Sequence, residues 1–393
     1  MPAPASTLVP EFSMLGRGPL EFLLGAPGVD DRPTPRMFGW AVLVALVAWL
    51  PPLALAALRG DLLGTHTPAP YLTDLTAYAR YLVAIPLFVL IAPLLDFTTR
   101  ITVRELRETA LLPDDERDAF DAGVRAAMRV RDAWWIPLLL VVVITAATRG
   151  LMGSRAGTSL PSWSWQDMGA GPGITPAGQW VSWVSQPMLY FLALYWALRL
   201  GAWGLLLLHT ARLKLELVAT HPDGAAGLSF LGEAQMRMAL VLVPLSVIVS
   251  AALAQQARLH GSGLLEMRTV LGTYVVVAML VLIAPLLSFI PRLARVRRAQ
   301  LLEYSRLAKR YGSGFHRKWI IGPSDEPLLG SSDIQSLADL GTSYERVDAM
   351  RGVPLSVHAA IAMLLTLTLP MLPCVLTVVP LQQLLTQLLQ LVR

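Results

Sequence analysis

The chain has 393 residues, 54% of them hydrophobic and only 15% charged, with a formal net charge of +5. A soluble domain carries about a quarter charged residues, so the composition excludes an ordinary soluble protein. The apolar excess is gathered into runs long enough to cross a bilayer, about 20 residues each. The basic balance is read below as membrane topology, not as nucleic-acid binding. A single cysteine, Cys374, excludes an intrachain disulfide and any multi-cysteine metal site. The start of the chain is polar and proline-rich up to Phe38, without the charged-then-apolar pattern of a cleavable signal. Insertion is therefore expected to rely on the first span. The preponderance of arginine over lysine fits a GC-rich bacterial genome.

In chain order, residues 1–37 form an N-terminal segment ahead of the first span. Seven candidate spans follow, at about Phe38–Leu58, Tyr81–Phe97, Trp134–Thr148, Gln186–His209, Met238–Gln255, Val270–Ile290 and Pro354–Val379. Each is expected to be helical, because backbone amides cannot stay unpaired in lipid. The segment 98–133 reads as helix, with a start signal at Leu112-Pro113-Asp114-Asp115-Glu116. The loop 149–182 is rich in Gly, Ser and Trp, and Trp163, Trp165, Trp180 and Trp183 fit an interfacial belt. The segment 291–353 opens with a basic stretch that continues the sixth span. It reaches a breaker at Tyr311-Gly-Ser-Gly314 and turns near Gly322-Pro323. The tail 380–393 has leucines at helical spacing and reads as amphipathic.

Orientation follows from the loop arginines and lysines. With the N-terminus in the cytoplasm, 24 basic residues fall on the cytoplasmic side and 7 on the other, and Arg199 is left inside a span. The expected topology is N-terminus inside and C-terminus outside in a bacterial inner membrane.

Val89-Leu-Ile-Ala-Pro-Leu-Leu-Asp-Phe97 recurs as Val281-Leu-Ile-Ala-Pro-Leu-Leu-Ser-Phe289, an offset of 192 that also pairs Pro52 with Pro244 and Arg100 with Arg292. Self-similarity at one offset points to duplication. The fold class expected is thus an all-α integral membrane protein with a 3+1+3 parallel internal repeat and helical cytoplasmic loops. The first unit is 38–148. The stretch 149–236 holds the outer loop, the linker helix and a cytoplasmic turn, and 237–379 is the second unit. Pro52, Pro93, Pro244 and Pro285 become candidate hinges, since proline removes a donor and bends a helix. The plan resembles that of SWEET-type sugar transporters, which have the same repeat and prolines in the same four helices. This chain lacks the Pro-Gln pairs of that family's relatives, has the opposite expected orientation and carries larger cytoplasmic loops. The resemblance is architectural and does not transfer function.

Arg199 is the sharpest signal. A central arginine costs at least ~2.5–3.5 kcal/mol to insert and is expected to face the interior or water. No carboxylate stands mid-span to pair with it. Proline-freed carbonyls, tyrosine hydroxyls, water or an anionic ligand are the alternatives, and Tyr195 and Trp196 stand one turn away to stack on it. The bland reading is a structural arginine bonded to carbonyls. Ala193, Ala197 and Gly201 form a small-residue ridge on another face of the same helix, suited to close packing. Two loop stretches complete the candidates. His221 and Asp223 sit in Thr220-His-Pro-Asp-Gly224, a tight turn with too few ligands for a metal. Asp333, Gln335 and Asp339 belong to a capped helix expected from about Ile334 to Gly341, a docking element. The stretches THPDGAAGLSFLG and LLGSSDIQSLADLG resemble an uncharacterised family of bacterial polytopic inner-membrane proteins, a resemblance that implies location and no activity.

No phosphate loop, HExxH or CxxC occurs, and the six histidines are scattered. No catalytic, cofactor or metal site is expected. Two functions remain open. One is a transporter or channel for a small, anionic solute. The other is a membrane-anchored signalling or assembly protein, acting on a cytoplasmic partner or a second copy through its loops. A lipid-modifying enzyme lacks the interfacial cluster of acids or histidines it would need. The partners expected are the lipid bilayer and one of these, with no nucleic acid.

Overall fold

The structure is a computed structural model, describing residues 12–16, 33–63, 67–152, 162–167, 172–260, 264–322 and 332–374. Among them, seven helices are long and apolar enough to cross a membrane. The chain thus has the makeup of a polytopic membrane protein. The tail 380–393 and the end of the seventh expected span lie outside the described residues.

Helix α1 (Pro35–Leu58) starts on the Thr34 cap, with proline in its first turn. Its buried face is made of small residues, Ala41, Ala45, Ala48, Pro52 and Ala56, while Val42, Leu43, Leu46 and Leu50 stay exposed as lipid-facing side chains do. Helix α2 (Leu75–Glu108) is the most buried span. It carries a π-turn over Tyr78–Ala84 and a break at Ile91, one residue before its last segment.

After Pro113, the acids Asp114–Glu116 form the expected start, and α3 (Arg117–Arg131) lies amphipathically across the last turns of the fourth span. Gly123 permits that approach, because a Cβ there would stand 2.2 Å from the His209 ring. Helix α4 (Trp135–Met152) presents Leu139, Val142 and Val143 outward. A short antiparallel pair follows, β1 (Trp165–Asp167) with β2 (Pro172–Ile174). The central helix α5 (Pro176–Thr210) contains a second π-turn, Val181–Ser185.

Helix α6 (Ser229–Leu259) is interrupted by a 3-10 turn at Ala239–Leu242. Helix α7 (Leu264–Leu287) then turns at Ser288–Phe289 into α8 (Ile290–His316). α9 (Ser332–Asp348) packs along α8, and α10 (Val357–Cys374) is the last described span. The bundle has two ends. The basic end carries α3, α8 and α9, and the hairpin end carries β1 and β2.

Four expectations differ from the structure. The breaker at Gly312 and Gly314 does not act: α8 runs through both to His316. Likewise α9 starts at Ser332 and runs through Gly341 to Asp348. Each glycine costs a helix about 1 kcal/mol, and the long contact between α8 and α9 outweighs that. Trp163 is no belt residue, being 6% exposed, with its indole N–H on Asp74 and its ring edge-on to Tyr71. Finally, three residues of the N-terminal segment, Phe12, Met14 and Leu15, are buried in the core of the bundle.

The repeated motifs of α2 and α7 both lead into a basic-end helix. Their prolines occupy different positions, however. Pro93 is in the first turn of Ala92–Glu108, and Pro285 is inside α7. Pro52 is inside α1, and Pro244 is in the first turn of Val243–His260.

Candidate functional site

Arg199 is fully buried in α5. Its guanidinium carbon lies 3.2 Å from the centroid of the Tyr195 ring, one turn earlier, and its Nη2 donates to the Leu15 carbonyl at 2.7 Å. Nε and Nη1 have no hydrogen-bond acceptor among the described residues. The main chain of residues 13–15 is gripped from the other side as well. Asp96 Oδ1 accepts from the Ser13 hydroxyl at 2.5 Å, the Met14 amide at 2.7 Å and the Leu15 amide at 3.2 Å. Arg131 donates to the Ser13 carbonyl and pairs with Asp132 at 2.8 Å. Arg100 pairs with Asp96 at 2.5 Å. The carboxylate absent from mid-span is supplied from the edge of the second span by Asp96, joined to Arg199 through a stretch of main chain. Short-range sequence patterns carry no sign of a bond across 184 residues. The one available hint was the apolar Phe12, Met14 and Leu15 in a polar leader.

Trp196, also fully buried, is engaged elsewhere. Its indole N–H donates to the Phe88 carbonyl in α2 at 2.9 Å, and it meets Tyr195 edge-on. One face further, Trp203 donates to Gln235 at 3.0 Å, and Gln235 donates to the Leu282 carbonyl at 2.6 Å, tying α5 to α6 and α7. Around the candidate hinges the same physics recurs. Pro51 and Pro52 deprive the Val47 and Ala48 carbonyls of their intrahelical donors. Trp180 donates to Val47 at 3.3 Å and Ser185 to Ala48 at 2.7 Å. These prolines create acceptors that bind α5 to α1.

The turn at His221 and Asp223 is an anchor. The Asp223 carboxylate accepts from the amides of Ala225 (2.9 Å), Gly227 (3.1 Å) and Ser229 (3.0 Å), with His221 Nδ1 2.8 Å away. Burial alone would raise its pKa, but these amides and His221 outweigh it and bring it down to about 2. Arg351, just before α10, caps the turn through the Asp223 and Gly224 carbonyls. Asp333 accepts from Lys318 at 2.8 Å and Trp319 at 3.1 Å, which lowers its pKa and fastens α9 to the end of α8. Gln335 donates to Asp339 on an exposed face, at 2.9 Å.

Two cavities stand out among the described residues. An apolar one of about 690 Å³ runs along α5, lined by Ala193, Ala197, Gly201 and Gly204 with Pro285 opposite, so the small-residue ridge faces open space over much of its length. The other, about 450 Å³, opens at the hairpin end between α2, α4 and α5. Its walls are mostly apolar, with Arg80, Arg149, Asp74, Tyr81, Gln186 and Tyr190 among the lining residues. Both π-turns lie on its wall. Asp74 already accepts from Thr76, Ala77 and Trp163. Arg149 stacks on Trp183 with its carbon 3.6 Å from the ring centroid. The Tyr81 hydroxyl reaches Gln186 at 3.4 Å, and Gln186 reaches Tyr190 at 2.6 Å, giving a floor of polar groups. Arg199 lines neither cavity. No protein-family model, curated protein or solved structure matches this chain.

Proposed function

We propose that this protein is a bacterial inner-membrane transporter or channel for a small anionic solute, taken up at the hairpin end, on the outer face. The observation that carries this reading is the charged lining of the hairpin-end cavity. It holds two arginines against a single carboxylate whose lone pairs are already engaged by neighbours. Such a cavity attracts anions, and its low-dielectric walls strengthen that attraction. Cavities that accept solutes combine apolar walls with a few convergent polar groups. The two π-turns support the reading too, since such turns gather at functional sites. Arg199, sealed from both cavities, acts here as part of the bundle's closure and not as the first contact for solute.

The test is flux. Proteoliposomes of the full chain are given phosphate, sulfate, bicarbonate, acetate and lactate in turn. At least one anion is expected to move faster than in protein-free liposomes, and Arg80→Ala with Arg149→Ala is expected to slow it by about tenfold or more, the loss of two charge-assisted contacts. Flux no faster than in empty liposomes across the panel overturns the proposal.

A second reading, assembly through the basic end, rests on the exposed apolar residues of α8 and α9, Leu302, Leu307, Ile334 and Leu337. It places self-association there. Light scattering of the purified chain, compared with Leu302→Glu/Leu307→Glu, decides it: an unchanged mass removes this reading.

A further inference from the structure

Residues Phe12–Gly16 are held as a bound peptide is held. Their main-chain groups, two amides and two carbonyls, are engaged by three side chains from three other elements, Asp96, Arg131 and Arg199. Each of those side chains belongs to a residue no more than 3% exposed. The apolar side chains Phe12, Met14 and Leu15 fill the same interior, with Phe12 6.2 Å from the Trp203 ring. The last residue has to be glycine. Gly16 sits at φ +55°, and a Cβ there would stand 2.2 Å from Arg131 Nε. The cleft therefore selects an apolar segment, with a small hydroxyl at its second position and glycine at its fifth, through contacts to the main chain. Without the segment, Arg199 would lose the Leu15 carbonyl, and among the described residues its Nε and Nη1 have no acceptor to replace it.

We propose that this cleft at the basic end is a peptide-binding site, that Phe12–Gly16 is its intramolecular ligand, and that release of the segment opens the solute route on that side. The last clause rests on the transport reading. The occupancy of the cleft does not.

The experiment uses the full chain in proteoliposomes, with Cys374→Ser removing the native thiol and Leu15→Cys as reporter, labelled by a maleimide. Labelling is expected to run at least ~tenfold slower than at the exposed control Arg298→Cys, as for a group reached only by local opening. Gly16→Ala, which alters the segment and leaves every span untouched, is expected to abolish most of that protection. Asp96→Asn is expected to do the same. A synthetic Phe-Ser-Met-Leu-Gly peptide in millimolar excess is expected to speed labelling by competing for the cleft. Reporter labelling as fast as the control, or protection unchanged by Gly16→Ala, overturns the site. Anion flux is measured on the same vesicles, where Gly16→Ala is expected to raise it several-fold, and unchanged flux overturns the gating clause. Protection as expected with no flux in any vesicle removes the transport reading and leaves the peptide site standing.

Discussion

Arg199 is a cation placed in the apolar interior with no carboxylate in contact. Its stabilisation comes from one carbonyl, one aromatic face and the dipoles of a main-chain segment that Asp96 holds in place. Arg199→Gln leaves the Leu15 carbonyl without its charged donor, a loss of about 1–3 kcal/mol, expected as a lower melting temperature in detergent. Arg199→Lys is not expected to restore it, because an ammonium cannot stack its plane on Tyr195 while donating to Leu15. Asp223 behaves differently. Its folded-state pKa, near 2, lies below the ordinary carboxylate value, so the stability it contributes is present above that ordinary value and is lost as pH falls through about 2. Wild type is expected to melt higher than Asp223→Asn at neutral pH, by on the order of 2 kcal/mol. The two should converge between about pH 4 and pH 2, and a constant gap across that window would reject the role given to the carboxylate. Sequence revealed Arg199 because a charge inside an apolar run is conspicuous. It could not reveal the partner, because Phe12–Gly16 is too short to carry any periodicity.

At the scale of elements, the prolines do their work through the carbonyls they leave open. Ser185→Ala removes the donor to Ala48 and is expected to cost about 1–3 kcal/mol, the penalty of a buried unsatisfied acceptor. Pro52→Ala returns that carbonyl an intrahelical donor. Adding it to Ser185→Ala is expected to recover much of the loss, so a double-mutant cycle should show coupling of at least ~0.5 kcal/mol. Strict additivity in the melting data would instead mean that Pro52 only bends α1. The spans themselves were legible, since apolar runs of bilayer length admit only helix. The start of α3 was legible from its proline and acids. The ends of α8 and α9 were not: glycine weakens a helix locally, while contact along a second helix is a property of distant sequence. The π-turns and the β1–β2 pair left no local signal either, although they shape the hairpin-end cavity.

For the whole molecule, the two ends are chemically distinct, and the orientation proposed above puts the basic end in the cytoplasm. On a Cys374→Ser background, a membrane-impermeant maleimide added outside intact cells is expected to label Trp183→Cys, which replaces a side chain 62% exposed at the hairpin end. Arg298→Cys is expected to be labelled only after the cells are opened, and the reverse pattern would invert the topology. The arrangement of the bundle was not readable in the sequence: α2, α5 and α6 are the more buried spans, and α4 and α7 the least. Apolarity does not rank them, since the two least buried spans have mean hydropathies of 1.7 and 2.6, so the ranking emerges only from packing.

The bond between Arg199 and the Leu15 carbonyl spans 184 residues, and that separation sets a schedule. The segment that seals the bundle leaves the ribosome before any of its receptor groups has been made. At roughly 5–20 residues per second, it waits on the order of 10–40 s for Arg199 to arrive. Phe12, Met14 and Leu15 spend that interval as bare apolar side chains beside a growing helix bundle. A stretch made early thus finds its last partner only once the fourth span is complete.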